Sequence, residues 1–221
     1  MRSSRSKREK DITYILLSEA VTKEDCPVCF LLARKKEVWV EDLLYWHVND
    51  QHVRREIRSK GLCTRHLWDI LEYSEKHPSI SVLGGSIILQ DVLELQLEEL
   101  VKTESIDDFW GMSCILCCCL KEAEESNLTS LSEWFKEGEL LKLYGRSPSI
   151  LCLNHLKATL KRLDEKNRKS LLSIQLSKLV KLNENLKSFI KKFDWNVNEK
   201  QSHEEVAARE LAAIVLRGKV C

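Results

Sequence analysis

Four short motifs in this sequence combine cysteine and histidine at the spacing used by metal ligands. Two of them are CxxC motifs and two are CxxH motifs. Their residues are Cys26, Cys29, Cys63, His66, Cys114, Cys117, Cys152 and His155. Thiolate sulfur and imidazole nitrogen are the usual ligands of structural zinc, commonly as three cysteines with one histidine. The motifs therefore indicate metal binding.

The motifs recur with a nearly constant period. Cys26 lies 88 positions before Cys114, and Cys63 lies 89 positions before Cys152. A fixed internal period is the sequence signature of a repeated structural unit. We therefore interpret the chain as a duplication in which each copy carries one CxxC and one CxxH motif.

The simplest grouping gives each copy its own ion, and the preferred metal is zinc. On this prediction one zinc ion is held by Cys26, Cys29, Cys63 and His66, and the other by Cys114, Cys117, Cys152 and His155. Four protein ligands fill a tetrahedral site and leave no position for a reactive water, so both sites are predicted to be structural.

Other uses of these cysteines stay open at this stage. An iron–sulfur cluster also takes thiolate ligands, and a CxxC pair can do redox chemistry, although a thioredoxin-like setting needs a βαβ unit. Cys118 and Cys119 are predicted to pack as small apolar residues, or one of them replaces Cys117 as a ligand. Cys221 stands at the end of the sequence.

Composition favours an all-α fold. The 221 residues include only seven Gly and three Pro, and Leu, Lys and Glu dominate. We predict two pseudo-repeated helical units, each stapled by a Cys3His site, followed by C-terminal helices. The predicted domains are residues 1–108 and residues 109–221.

Turn and cap residues place several helix ends. Pro27 starts a helix that runs to Val48, and Gly61 ends the next one. The pair Gly84 and Gly85 predicts either a break or a close helix crossing. Two helices are predicted between Cys114 and Leu143, interrupted near Asn127–Ser130 and with a stop at Gly138.

The long helix predicted from Lys166 to Phe193 carries an apolar stripe. Its members are spaced by three, four or seven residues and are Leu172, Leu176, Leu179, Leu186 and Ile190. Such a stripe is typical of a core-facing seam.

Charge is distributed unevenly although the formal net charge is only +1. Residues 86–108 carry a net charge of −6, and residues 157–192 carry +8. We interpret both as solvated helix faces that partly pair. The basic stretch 157–192 also offers a surface for nucleic acid or an acidic partner.

No apolar run approaches the length of a membrane span, and the basic start of the chain lacks the apolar segment of a secretory signal. A cytoplasmic location is expected, where thiols stay reduced. The sequence contains no Gly-rich phosphate loop, nucleophile elbow or HExxH motif. The function hypotheses are a non-enzymatic zinc-binding scaffold or adaptor with a protein partner, an iron–sulfur protein in electron transfer or sensing, and an enzyme with a pocket between the units.

At these motifs the sequence resembles a prokaryotic family of uncharacterised proteins, domain of unknown function 6062. The similar stretches are CPVCFLLARKKEVWVEDLLYWHVND and GLCTRH in the first copy, with looser likeness at CILC, LCLNH and the closing EEVAARELAAIVLRG. Family members often carry an acidic residue where this chain has Trp46. The resemblance implies no activity.

Overall fold

Helices make up the regular structure of this protein. The computed structural model describes residues 9–102, 114–194 and 199–218, and within these ranges there is no β-strand, which confirms the all-α prediction. The helices are α1 (Ile12–Ala20), α2 (Pro27–Asp42), α3 (Gln51–Lys60), α4 (Thr64–Lys76), α5 (Pro78–Lys102), α6 (Ile115–Glu137), α7 (Glu139–Arg146), α8 (Leu153–Arg162), α9 (Glu165–Lys191) and α10 (His203–Arg217). Helix α2 continues into a π-helical turn, Leu43–His47. None of the helices in the described ranges combines the length and apolar character needed to cross a membrane.

Polar caps and glycines set the ends of the helices. Asp50 accepts hydrogen bonds from the backbone of α3, and Ser202 forms a capping box with Glu205 at the start of α10. Gly61 and Gly138 adopt φ angles of 74° and 86° at helix ends, a region that favours glycine. The predicted stops at both glycines are confirmed.

Two predicted helix breaks are replaced by continuous helix. Helix α6 runs through Asn127 without interruption, and α5 runs through Gly84 and Gly85. The alternative interpretation of the glycine pair is confirmed: a Cβ atom on Gly85 would lie 3.1 Å from the hydroxyl oxygen of Ser74 in α4. A side chain at Gly85 would press against Ser74, so the glycine favours close packing of α4 and α5.

The chain forms two compact units. Unit 1 comprises Met1–Ala33 with Glu124–Cys221, and unit 2 comprises Arg34–Ala123. Helices α2 and α6 each begin in one unit and end in the other. This division differs from the predicted one, whose boundary between residues 108 and 109 lies outside the described residues.

The core of unit 1 contains Ile150, Leu182, Ala208 and Val215, with Leu179, Leu186 and Leu211 packed beside it. The predicted stripe of α9 is only partly correct, because Leu172, Leu176 and Ile190 are exposed. The fully buried side of α9 follows Leu171, Gln175, Leu182 and Phe189 instead.

A glutamine explains why the buried side of α9 was predicted wrongly. Gln175 is fully buried, accepts a hydrogen bond from the hydroxyl of Tyr144 and donates one of 2.8 Å to the carbonyl of Leu151. Because its polar atoms are satisfied, it occupies a core position that an apolar pattern cannot reveal.

Ion pairs join α3 to α5 in unit 2. Arg54 donates two hydrogen bonds, of 2.6 and 2.7 Å, to the carboxylate of Asp91, which is 1% exposed. Arg58 pairs with Glu94 and Glu98 at the surface. The acidic face of α5 is thus partly neutralised inside its own unit.

Replacing Asp91 should destabilise the protein, because Arg54 would keep a charge whose partner is lost. We expect Asp91→Ala to lower the free energy of unfolding by about 2 kcal/mol, less than for a fully buried pair because Arg54 is partly solvated. Urea denaturation measures this loss. The control Glu98→Ala removes an exposed pair and should cost less than about 1 kcal/mol. Equal losses for the two variants would contradict the assigned role.

Candidate metal centres

The eight predicted ligand residues come together in two groups of four. The first centre contains Cys26, Cys29, Cys152 and His155, and the second centre contains Cys63, His66, Cys114 and Cys117. Within each group the ligand atoms all lie within 4.8 Å of one another. All eight residues therefore lie where they could hold a metal ion, and each group contains three cysteines and one histidine.

The grouping corrects the predicted assignment of one ion to each copy. Each centre takes its CxxC motif from one copy and its CxxH motif from the other. The first centre lies entirely in unit 1 and the second entirely in unit 2. The compact units are consequently built from both copies of the duplication.

Helix lengths give a physical reason for the crossed grouping. After Cys29 the chain stays helical through the 16 residues of α2 and the π-turn, a path of about 30 Å. Helix α3 has only 10 residues, so it can span only about 15 Å of the way back before Cys63. The second copy repeats the mismatch, with 23 residues in α6 and eight in α7 before Cys152.

Helix starts present the ligands of the first centre. Cys29 lies in the first turn of α2, and Cys152 is the N-cap of α8, with its sulfur 3.4 Å from the backbone nitrogen of His155. The backbone nitrogen of Ile150 also donates to the carbonyl of Asp25, which ties the segments before the two motifs together.

In the first centre, the distances between the histidine nitrogen and the cysteine sulfurs are those of ligand atoms that surround a single point. The Nδ1 atom of His155 lies 3.3 Å from the sulfur of Cys26, 3.4 Å from that of Cys29 and 3.2 Å from that of Cys152. The sulfurs of Cys29 and Cys152 are 4.0 Å apart. All four residues are buried.

The pKa values of residues in the first centre are shifted because its thiols and its histidine lie close together. Burial raises the pKa of Cys26 well above its ordinary value, and the neighbouring thiols add to the effect. Hydrogen bonds from Cys26 and Cys29 lower the pKa of Cys152 far below its ordinary value. Burial opposes protonation of His155, but hydrogen bonds to Cys152 and Cys29 raise its pKa to about 10. Negative charges packed this closely oppose one another, and a bound cation would relieve that repulsion.

The second centre has similar distances in a more open setting. The Nδ1 atom of His66 lies 3.3 Å from the sulfur of Cys63, 3.1 Å from that of Cys114 and 3.5 Å from that of Cys117. The sulfurs of Cys63 and Cys117 are 3.7 Å apart. His66 and Cys114 are buried, whereas Cys63 is half-buried and Cys117 is exposed. The backbone nitrogen of Ile115 donates to the carbonyl of Gly61 and again ties the two motif segments together.

The close approach of the ligand side chains also shifts pKa values in the second centre. Partial desolvation and the thiols of Cys114 and Cys63 raise the pKa of Cys117 to about 12. Burial opposes ionisation of Cys63, but hydrogen bonds from the backbone of His66 and the thiol of Cys117 leave its pKa below the ordinary value. Burial lowers the pKa of His66, which keeps a neutral imidazole available as a ligand.

A single tetrahedral ion fits both donor sets. Bond lengths of about 2.3 Å to sulfur and 2.0–2.1 Å to nitrogen place two sulfurs about 3.8 Å apart and a sulfur and a nitrogen about 3.6 Å apart. The observed separations of 3.7–4.0 Å and 3.1–3.5 Å are close to these values. A disulfide would need sulfurs about 2.05 Å apart.

In the part of the chain that the structure describes, the remaining cysteines and histidines lie outside the two groups. Cys118 is exposed and Cys119 is half-buried on α6, so Cys117 keeps the ligand position. Cys221 lies outside the described residues.

Glu124 was not predicted as part of a site. Its carboxylate accepts a hydrogen bond of 2.9 Å from Nε2 of His155, the ring atom opposite the one that faces the sulfurs. Such partners orient metal-binding histidines and strengthen them as ligands. The sequence places Glu124 seven residues after Cys117 on a continuous helix, but nothing local in the sequence marks it among the neighbouring glutamates.

The fold and the centres together define a class: a helical protein with two candidate Cys3His metal centres that are each assembled from both copies of a duplication. Residues 8–108 match a family of unknown function, DUF6062, which confirms the resemblance over that part of the chain. The matched segment contains one half of each centre.

A curated relative extends the similarity to both copies. The chain is 26% identical over 205 residues to an uncharacterized 23.9 kDa protein in the xynA 3′ region of Caldicellulosiruptor sp. (strain Rt8B.4), a match that covers 89% of this chain and 97% of the relative. No solved structure matches the chain.

Removing the carboxylate of Glu124 should weaken the first centre selectively. We expect Glu124→Gln to reduce metal affinity there by about 10- to 100-fold and to leave the second centre unchanged. Competition against a chelator of known affinity measures both constants. Glu125→Gln is the control, since Glu125 pairs with Arg162 and not with a ligand. The same loss in both variants, or none in Glu124→Gln, would contradict this role.

Proposed function

We propose that this protein is a non-enzymatic zinc-binding scaffold that holds two structural zinc ions and presents helical surfaces to a protein partner. The observation that carries the proposal is the convergence of four ligand atoms within 4.8 Å in each centre. Three sulfurs and one nitrogen fill a tetrahedral zinc site, so no coordination position is left for substrate or water.

The short distances between the ligand atoms favour zinc over an iron–sulfur cluster. A cluster places several irons and sulfides among its cysteines and needs its ligands spread around them. Here the closest donor separations match a single ion of tetrahedral geometry. The cluster therefore remains the alternative that elemental analysis has to exclude.

The adaptor role is supported by apolar side chains left at the surface of unit 2. Tyr45 and Trp46 stack edge to face in the π-helical turn, and Trp46 is 70% exposed. Large exposed apolar groups commonly mark protein interaction sites, and π-helical turns are frequent at functional positions. We propose this aromatic pair as the contact point for a protein partner.

Nucleic acid is the less favoured partner for the basic stretch 157–192. Several of its cations already have partners within unit 1, namely Arg162, Arg168, Lys169, Lys178 and Lys192. Partnered cations release few counterions on binding a phosphate backbone. A cytoplasmic location completes the proposal, because reduced thiols are needed to bind the metal.

Metal analysis tests the proposal. The purified protein should contain about two zinc ions per chain and lack the visible absorption of an iron–sulfur cluster. Removing the zinc with a chelator should abolish much of the helical circular dichroism, because structural zinc contributes about 10–16 kcal/mol in small peptides against about 5–15 kcal/mol for a whole domain. Stoichiometric iron with sulfide, or full helicity without metal, would contradict it.

A further inference from the structure

The two centres differ in ways that bear on how firmly each holds an ion. They share the same four ligand types and nearly the same donor distances, so the differences lie in what surrounds them. We propose that the second centre is an exchangeable zinc site, which releases its ion to thiol-bearing or chelating acceptors, while the first centre retains its ion. This inference rests on the proposed binding of two zinc ions.

Access is the first difference. In the first centre the three cysteines are at most 1% exposed and His155 is 6% exposed. The end of α10 covers it: a Cβ atom on Gly218 would lie 3.6 Å from the sulfurs of both Cys29 and Cys152. An incoming acceptor therefore cannot approach these sulfurs unless α10 moves.

The second centre exposes one ligand at its edge. Cys117 is exposed and Cys63 is half-buried, so an acceptor reaches the bound ion from the side of these two sulfurs. With zinc bound here, the thiolate of Cys117 is the ligand that an incoming acceptor would displace first; the released thiolate would take a proton from solvent, and the other three ligands would be displaced in the same way. No oxidant is required.

The second difference between the centres is the hydrogen bonding of the histidine's Nε2 atom. His155 donates from Nε2 to Glu124, whereas Nε2 of His66 is buried and has no hydrogen-bond partner among the residues that the structure describes. A buried donor left without an acceptor costs free energy, and a ligand without such a partner binds metal more weakly.

Comparison of the two copies of the duplication shows which residue replaces the glutamate that bonds to His155. Glu124 stands seven residues after the second cysteine of its CxxC motif, and the corresponding position of the first copy, 88 residues earlier, is Lys36. Lys36 pairs at 2.7 Å with Asp69, and both charges lie near His66, where the carboxylate of Asp69 acts more strongly than the ammonium of Lys36. The same position thus carries a carboxylate that bonds to the histidine of one centre and, near the other centre, an ammonium that bonds to Asp69 instead of to the histidine.

The consequence of exchange is confined to unit 2. The second centre joins residues 48 to 54 positions apart, so an ion bound there would help to hold α4 and the start of α6 together. Because an ion that binds only the folded state stabilises it in proportion to its availability, unit 2 should respond to free zinc more readily than unit 1.

Zinc release from the intact protein tests the proposal. After confirming two zinc ions per chain, an excess of the zinc-binding dye 4-(2-pyridylazo)resorcinol should remove one equivalent at least about tenfold faster than the other. Alkylation with iodoacetamide when one equivalent has left, followed by mass spectrometry, should label Cys63, Cys114 and Cys117 and spare Cys26, Cys29 and Cys152.

Two variants sharpen the assignment. Cys117→Ser should bind one zinc and lose the fast phase, while Cys118→Ser, which removes an exposed thiol outside the ligand set, should behave like the wild type. Release of both equivalents in one phase, or early labelling of the first centre, would overturn the inference and leave the two-zinc proposal standing. A wild-type protein without zinc would instead overturn the proposed function itself.

Discussion

Each compact unit of this protein brings together four candidate metal-ligating side chains from distant parts of the chain. In unit 1 the contacts join residues 123 to 129 positions apart, and in unit 2 they join residues 48 to 54 positions apart. Closing such loops costs conformational entropy that grows slowly with their length. A metal ion bound by three thiolates and an imidazole would offset this cost by an amount comparable to the stability of a whole domain.

Because of the crossed grouping, the two copies of the duplication are not independent modules. Neither copy holds a complete centre, because the helical segment that follows each CxxC motif is about two to three times as long as the helix that precedes the CxxH motif: 16 residues of α2 plus 5 of the π-turn against 10, and 23 against 8. A metal ion in either centre therefore depends on both copies. The same reasoning explains why a family match over residues 8–108 contains ligands without containing a site.

Much of this architecture was predictable from local signals. The ligand residues, the all-α fold and the glycine stops at Gly61 and Gly138 follow from residue types and spacing, which act over a few residues. The grouping of ligands was predicted wrongly, because sequence proximity favours partners within one copy and helix lengths were not weighed against it. The buried face of α9 was misjudged because Gln175 satisfies its polar atoms inside the core. Glu124 was missed because its role depends on a residue 31 positions away.

Metal content in two matched double variants tests the crossed grouping most directly. Cys29→Ala with Cys152→Ala removes two ligands of one centre, whereas Cys29→Ala with Cys63→Ala removes one ligand from each, and both variants lose the same number of thiols. Elemental analysis should find about one metal ion per chain in the first variant and almost none in the second, because a structural site rarely holds its ion with a ligand missing. The reverse result, with one ion kept in the variant lacking Cys29 and Cys63, would show that each copy binds its own ion and would contradict this account.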